Sequence, residues 1–135
     1  MVEQKYMLIL FPACFDKWKY VDNMIEQNLF VIDKRIIELN EKVKFELIYD
    51  LYKGEEWVGN SDNNWEGINY KKNACFPNEI TTVKFFYVLS NENKVKMIKN
   101  EIRNFCKCGN HSIHSTDDEI TANELKMKYF TFNIE

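Results

Sequence analysis

Both histidines of the chain fall in one stretch, Gly109-Asn110-His111-Ser112-Ile113-His114-Ser115-Thr116-Asp117-Asp118-Glu119. Two of the four cysteines, Cys106 and Cys108, lie just ahead of it. A neutral imidazole can attack phosphorus and hold the phosphoryl group covalently, provided its second ring nitrogen is oriented by an acceptor. His114 is the candidate nucleophile, and Asp117, Asp118 or Glu124 could orient it. The plainer reading is a strand-end histidine that hydrogen-bonds a neighbouring cap. Thr116-x-x-Glu119 has the spacing of a capping box, in which the hydroxyl accepts from the Glu119 amide and the carboxylate accepts from the Thr116 amide. A helix beginning there puts free N–H groups and a positive dipole end beside His114, an arrangement that favours an anion.

Three other readings compete for the same residues. Cys106-x-Cys108-x-x-His111-x-x-His114 gathers four ligand types that zinc accepts. Its spacing differs from that of a zinc finger, and Cys106 also fits the end of an apolar helix stripe. A phosphoesterase built on two H-x-T/S elements is excluded: His114-Ser115-Thr116 is one such element and the sequence holds no second. Arg103, whose planar fork suits phosphate oxygens, stands shortly before the stretch. Lys71 and Lys72 could also meet phosphate, though for lysines a solvated surface charge is the simpler reading. Trp57, Trp65, Tyr49 and Tyr52 could stack on a base or pack in the core and loops.

The elements that must position these residues are legible in outline. Lys5 to Phe11 is a continuous apolar run, as for a central strand covered on both faces, and Pro12 ends it. Asp16 can cap a helix running to about Asn28, with Trp18, Val21 and Ile25 at helical spacing. Phe30 to Leu39 reads as a second strand, and about Val43 to Tyr52 as a second helix closed by Gly54. Glu55 to Ile80 reads as a long loop or a loop with a short hairpin. Thr81 to Leu89 is a third strand. Ser90 or Asn91 caps a helix whose Val95, Ile98, Ile102 and Phe105 form an apolar stripe. A short strand near His111 to Ser115, a last helix and an extended tail from Thr131 to Glu135 complete the set. The order predicts an α+β ferredoxin-like sandwich: a four-stranded antiparallel sheet with helices mainly on one face. Residues 1–135 form a single domain in this reading, without repeat, linker or low-complexity segment.

Composition narrows the class. A chain of 135 residues with ten Phe, seven Tyr and three Trp can bury a core without a metal or disulfides. A net charge of −3 argues against a protein that neutralises nucleic-acid phosphates along its length. No apolar run is long enough to span a membrane. The start has no signal-peptide pattern, so the cysteines are expected to be free thiols and the protein cytoplasmic.

On these residues the chain resembles a divergent nucleoside diphosphate kinase. That family carries the signature N-x-x-H-G-S-D, and the matching run is His111-Ser112-Ile113-His114-Ser115-Thr116-Asp117. The histidine, the hydroxyl two residues later and the aspartate three later are kept. Ile102-Arg103 is similar to the family's I-R-G step, and the strand-helix-strand start and Tyr49-Asp50-Leu51 also fit. The resemblance implies phosphoryl transfer from a nucleoside triphosphate through a phosphohistidine at His114, with Mg²⁺ carried by the nucleotide. It further implies Arg103 on the nucleotide phosphates, Tyr49 near the histidine, Thr116 in support and Glu124 as the orienting carboxylate. Trp57 would stack on the base, and Asn110 or His111 would take the place of the signature asparagine. A homo-oligomer is implied as well. Departures are the strand-1 lysine, replaced in Phe11-Pro12-Ala13, the signature glycine, replaced by Ser115, and a shortened segment between Arg103 and His114. These losses leave a non-catalytic nucleotide-binding or protein-interaction module on the same fold as the alternative.

Overall fold

The computed structural model describes residues 2–131. Its first strand, β1 (Gln4–Leu10), lies inside the predicted apolar run. Pro12, with its fixed φ, begins a 3-10 segment over Pro12–Lys17 directly at the strand exit. This delays helix α1 to Trp18–Asn28, so Asp16 lies inside the 3-10 segment and the helix has no side-chain cap. β2 (Phe30–Glu38) and α2 (Glu41–Tyr52) follow, the helix capped by the Asn40 side chain on the Val43 amide.

The stretch expected to be a loop contains a helix, α3 (Glu66–Cys75). Its polar residues and Gly67 masked the pattern, yet Ile68, Lys71 and Cys75 are buried at helical spacing. β3 (Thr82–Ser90), α4 (Glu92–Cys106) capped by Asn91, the three-residue β4 (Ile113–Ser115) and α5 (Glu119–Tyr129) complete the fold. The expected capping box at Thr116 is not formed. Asp118 caps α5 by accepting from the Thr121 amide at 2.7 Å. Thr116 and Glu119 instead accept from the backbone of β1, at the Met7 and Lys5 amides respectively. The terminal part of the expected tail, 132–135, lies outside the described residues.

The sheet has the order β2-β3-β1-β4 with every neighbour antiparallel. This is the α+β ferredoxin-like arrangement, with five α-helices among the described residues. The helices, however, cover both faces rather than mainly one. Met7, Ile9 and Phe11 of the β1 segment pack with Leu47 of α2, Ile68 of α3 and Leu125 and Tyr129 of α5. Tyr6, Leu8 and Leu10 pack with Val21 and Ile25 of α1 and Val95, Ile98 and Ile102 of α4. β1 therefore feeds two cores, one per face, through the two-residue alternation of a strand. Fully burying such side chains contributes roughly 1.5–3 kcal/mol each.

The expectation of free thiols holds for Cys75 and Cys108 and fails for the other pair: Cys14 and Cys106 form a disulfide across 92 residues. The reason is tertiary. The apolar stripe of α4 ends against the 3-10 turn at the exit of β1, which brings the two Cα atoms within 5.8 Å. No helix among the described residues is long and apolar enough to cross a membrane.

Candidate functional site

His114 sits in the middle of β4, opposite Ile9 of β1, with Ile113 opposite Leu10 and Ser115 opposite Leu8. The ladder is extended at both ends. Phe11 donates to the Ser112 carbonyl at 2.9 Å, and Thr116 donates to the Met7 carbonyl at 3.1 Å. The Thr116 hydroxyl also accepts from the Met7 amide at 3.0 Å. Ile113 points into the core beneath α1 and α4. Alternation sends His114 to the opposite face, where its ring meets Tyr52 edge-on with centroids 4.9 Å apart.

Burial, then the positive charges of Lys99, Arg103 and Lys71, push the His114 pKa down to about 3. The imidazole is therefore neutral across the physiological range, the state a nucleophile needs. The three cations come from α4 and α3. Lys99 is half-buried. Arg103 donates to the Ile113 carbonyl at 3.3 Å, while its Nε is buried without a hydrogen-bond partner among the described residues. Lys71 is 5% exposed. It donates to the Asn110 carbonyl at 2.8 Å, stands 3.0 Å from His111 Nδ1, and lies over the Tyr52 ring.

Two cavities meet at Tyr52 and Glu55. The larger, about 780 Å³, is lined by Trp57, Tyr70, Lys71, Asn110 and His111 among others. The second, about 610 Å³, is lined by His114, Thr116, Asp117, Asp118 and Glu124. Its rim carries five carboxylates, those of Asp50, Glu55, Asp117, Asp118 and Glu124, against Lys53 and Lys128. Trp57 is 45% exposed and tilts against Tyr52 at 5.2 Å. Gly67 lets α3 come up against the Trp57 backbone: a Cβ there would stand 1.6 Å from the Trp57 carbonyl oxygen. That close approach forms one wall of the larger cavity.

The sequence-predicted residues divide between these places. Trp57, Asn110 and His111 line the larger cavity, and His114, Thr116 and Glu124 the smaller one. Arg103 and Tyr49 line neither. Arg103 braces β4 from behind through Ile113. Tyr49 packs its ring against Trp65 at 5.7 Å, and the tyrosine that meets His114 is Tyr52, almost one helical turn later. Thr116 serves the β1–β4 ladder. Asp118 is engaged as the cap of α5, and Glu124 stands exposed on that helix. The Cys106/Cys108/His111/His114 run does not converge: Cys106 is bonded to Cys14, and no group of three or more His, Cys, Asp or Glu residues among those described could hold a metal ion. For Lys71 a solvated surface charge is the simpler sequence reading and for Tyr52 core or loop packing, yet Lys71 lines the larger cavity and Tyr52 lines both. The signal for Lys71 was its place between Ile68 and Cys75 on one helical stripe.

No protein-family model matches the sequence, and no curated protein does. Solved structures do match. The nucleoside diphosphate kinase of Aquifex aeolicus superposes with a TM-score of 0.59 at 12% identity, over 98% of this chain and 96% of that one. A halophilic nucleoside diphosphate kinase from Halobacterium salinarum, in complex with CDP, superposes with a TM-score of 0.53 at 11% identity, over 94% and 86%. At such identities the likeness is one of fold. Over nearly its whole length, the chain has a fold similar to that of the nucleoside diphosphate kinases.

Proposed function

We propose that the protein transfers a phosphoryl group from a nucleoside triphosphate through a phosphohistidine at His114. The observation that carries this reading is a neutral imidazole, exposed to a cavity at a strand centre, with the charges of Lys99, Arg103 and Lys71 acting on it. Those charges oppose an imidazolium and favour an anionic phosphoryl group at the same place. One ring nitrogen of His114 attacks the γ-phosphorus, the bond from γ-phosphorus to the bridging oxygen breaks, and the nucleoside diphosphate leaves with the bonding electrons. The phosphoryl group then passes to the oxygen of an acceptor and restores the imidazole. Trp57 and Tyr52 offer the base an aromatic wall. Mg²⁺ would be carried by the nucleotide and would supply positive charge to its phosphates during transfer.

A second reading is favoured by the acidic rim around His114 and by Ala13 at the strand exit in place of a lysine. In that reading the fold binds a nucleotide or a partner protein without turnover. Labelling with γ-phosphate-labelled ATP and Mg²⁺ separates the two. Acid-labile, base-stable label on the native protein, absent from His114→Gln, is the result expected of the phosphohistidine. A folded native protein that takes no label sinks the transfer reading and leaves the binding module.

A further inference from the structure

Three lysines among the described residues are buried: Lys44, Lys71 and Lys84. Two have the carboxylate that a buried ammonium requires. Lys44 pairs with Glu41 at 2.8 Å and Lys84 with Asp22 at 2.8 Å. Lys71 has no carboxylate partner among the described residues. Its neighbours are an amide carbonyl, an imidazole nitrogen and the face of a tyrosine ring. A buried charge without a counter-charge costs several kcal/mol, and burial accordingly lowers the pKa of Lys71. The fold keeps this cation on the wall of the 780 Å³ cleft.

The same contact fixes His111. Burial, then the Lys71 charge, lowers the His111 pKa and keeps the ring neutral. With Nδ1 accepting from the Lys71 ammonium, the ring proton must sit on Nε2, which makes that nitrogen a donor. The ammonium has three N–H donors, and the Asn110 carbonyl and His111 Nδ1 take two. A charged donor and a tautomer-locked neutral donor thus share one wall of a cleft that Tyr52, Trp57 and Tyr70 also line. Glu55 and Glu66 also line the cleft but are exposed and pair with neither.

We propose that Lys71 and His111 form an anion subsite that binds a phosphate group in the larger cleft, the bound anion supplying the counter-charge that Lys71 lacks. That the phosphate belongs to a nucleotide rests on the function proposed above; the subsite itself does not. Lys71, reaching in from α3, then provides the phosphate-facing cation that the β1 exit lacks.

Calorimetric titration of the full chain with inorganic pyrophosphate and with ADP tests this, using the native protein and Lys71→Met. The native protein is expected to bind both, and the variant to lose at least tenfold in affinity for each. Without ligand, Lys71→Met should melt no lower than the native protein, because an unpaired buried charge has been removed. Binding of pyrophosphate without ADP, weakened in the variant, upholds the subsite and removes its nucleotide assignment. Equal binding by native and variant proteins overturns the subsite, as does a native protein that binds neither anion. Should the variant not fold, the native protein decides. Saturating pyrophosphate must shift the NMR resonance of the Lys71 ε-methylene, and shifts confined to other residues overturn the proposal.

Discussion

Replacing His114 with glutamine should flatten the acid limb of the protein's stability curve. The unfolded chain binds a proton on this histidine near the ordinary value of 6.5, whereas the folded protein holds out to about 3. Because the folded pKa is depressed, the stability tied to neutral His114 is complete above about pH 6.5 and is lost progressively as pH falls towards about 3. Writing the linkage as RT ln[(1 + 10^(pKa,U − pH))/(1 + 10^(pKa,N − pH))] gives about 2 kcal/mol lost at about pH 5 relative to about pH 8. Glutamine keeps a polar side chain of similar reach and does not titrate. The assay is urea unfolding of both proteins at the two pH values, read by tryptophan fluorescence. Taking the difference between proteins at each pH cancels His111 and the carboxylates, which both share. The native protein should lose about 2 kcal/mol more than His114→Gln on acidification. If the two lose the same amount, His114 is hydrated and titrates normally. Burial and the three cations then do not hold the imidazole neutral, and the proposed nucleophile loses its support.

Two further outcomes follow from packing and covalent structure. Gly67→Ala drives a Cβ to 1.6 Å from the Trp57 carbonyl oxygen. α3 or the turn holding Trp57 must move, at a cost of about 2–4 kcal/mol. A lowered melting point with an altered Trp57 environment is expected, and an unchanged melting point would show that α3 does not press against the Trp57 backbone. Cys106→Ser opens a loop closed across 92 residues, for which chain entropy predicts a loss of about 4–5 kcal/mol relative to the oxidised protein. Matching denaturant midpoints for the variant and the native protein under oxidising conditions would refute the pairing of Cys14 with Cys106.

The regular elements were legible because their signals are local. The run Tyr6 to Phe11 is apolar throughout and the stripe Val95, Ile98 and Ile102 carries a helical period, and the sheet order follows from how such units pair. The site was legible only in part. His114 stood out by type and neighbours, but which tyrosine would reach it depended on helix phase: Tyr49 and Tyr52 differ by three residues, and the turn of α2 directs one to Trp65 and the other to the imidazole. α3 was hidden because Asn, Asp and Gly residues dominate the approach to it, and without α3 Lys71 had no wall to belong to. Thr116 and Glu119 have the spacing of a capping box, yet both turn back to the Met7 and Lys5 amides. An interstrand partner far off in the chain competed successfully with a local one. The disulfide likewise joins two points that only the folded sheet brings together.

β1 divides its side chains between two cores, and β4 meets it through only three residue pairs. Fidelity of strand register therefore decides where His114 points as well as how stable the fold is. A slip of β4 by one position would bury the imidazole beneath α1 and α4 and turn Ile113 or Ser115 towards Tyr52. The polypeptide would still be compact and hydrogen-bonded, but it would have no imidazole in its cavity. Such a slip needs slack on both sides of β4. On one side, the disulfide moors Cys106 to the β1 exit, limiting the slack to the short tether before His114. On the other, Thr116 and Glu119 are fastened to the same strand. A proofreading of alignment is thus built into the covalent and hydrogen-bonded flanks of a strand too short to choose its own partner.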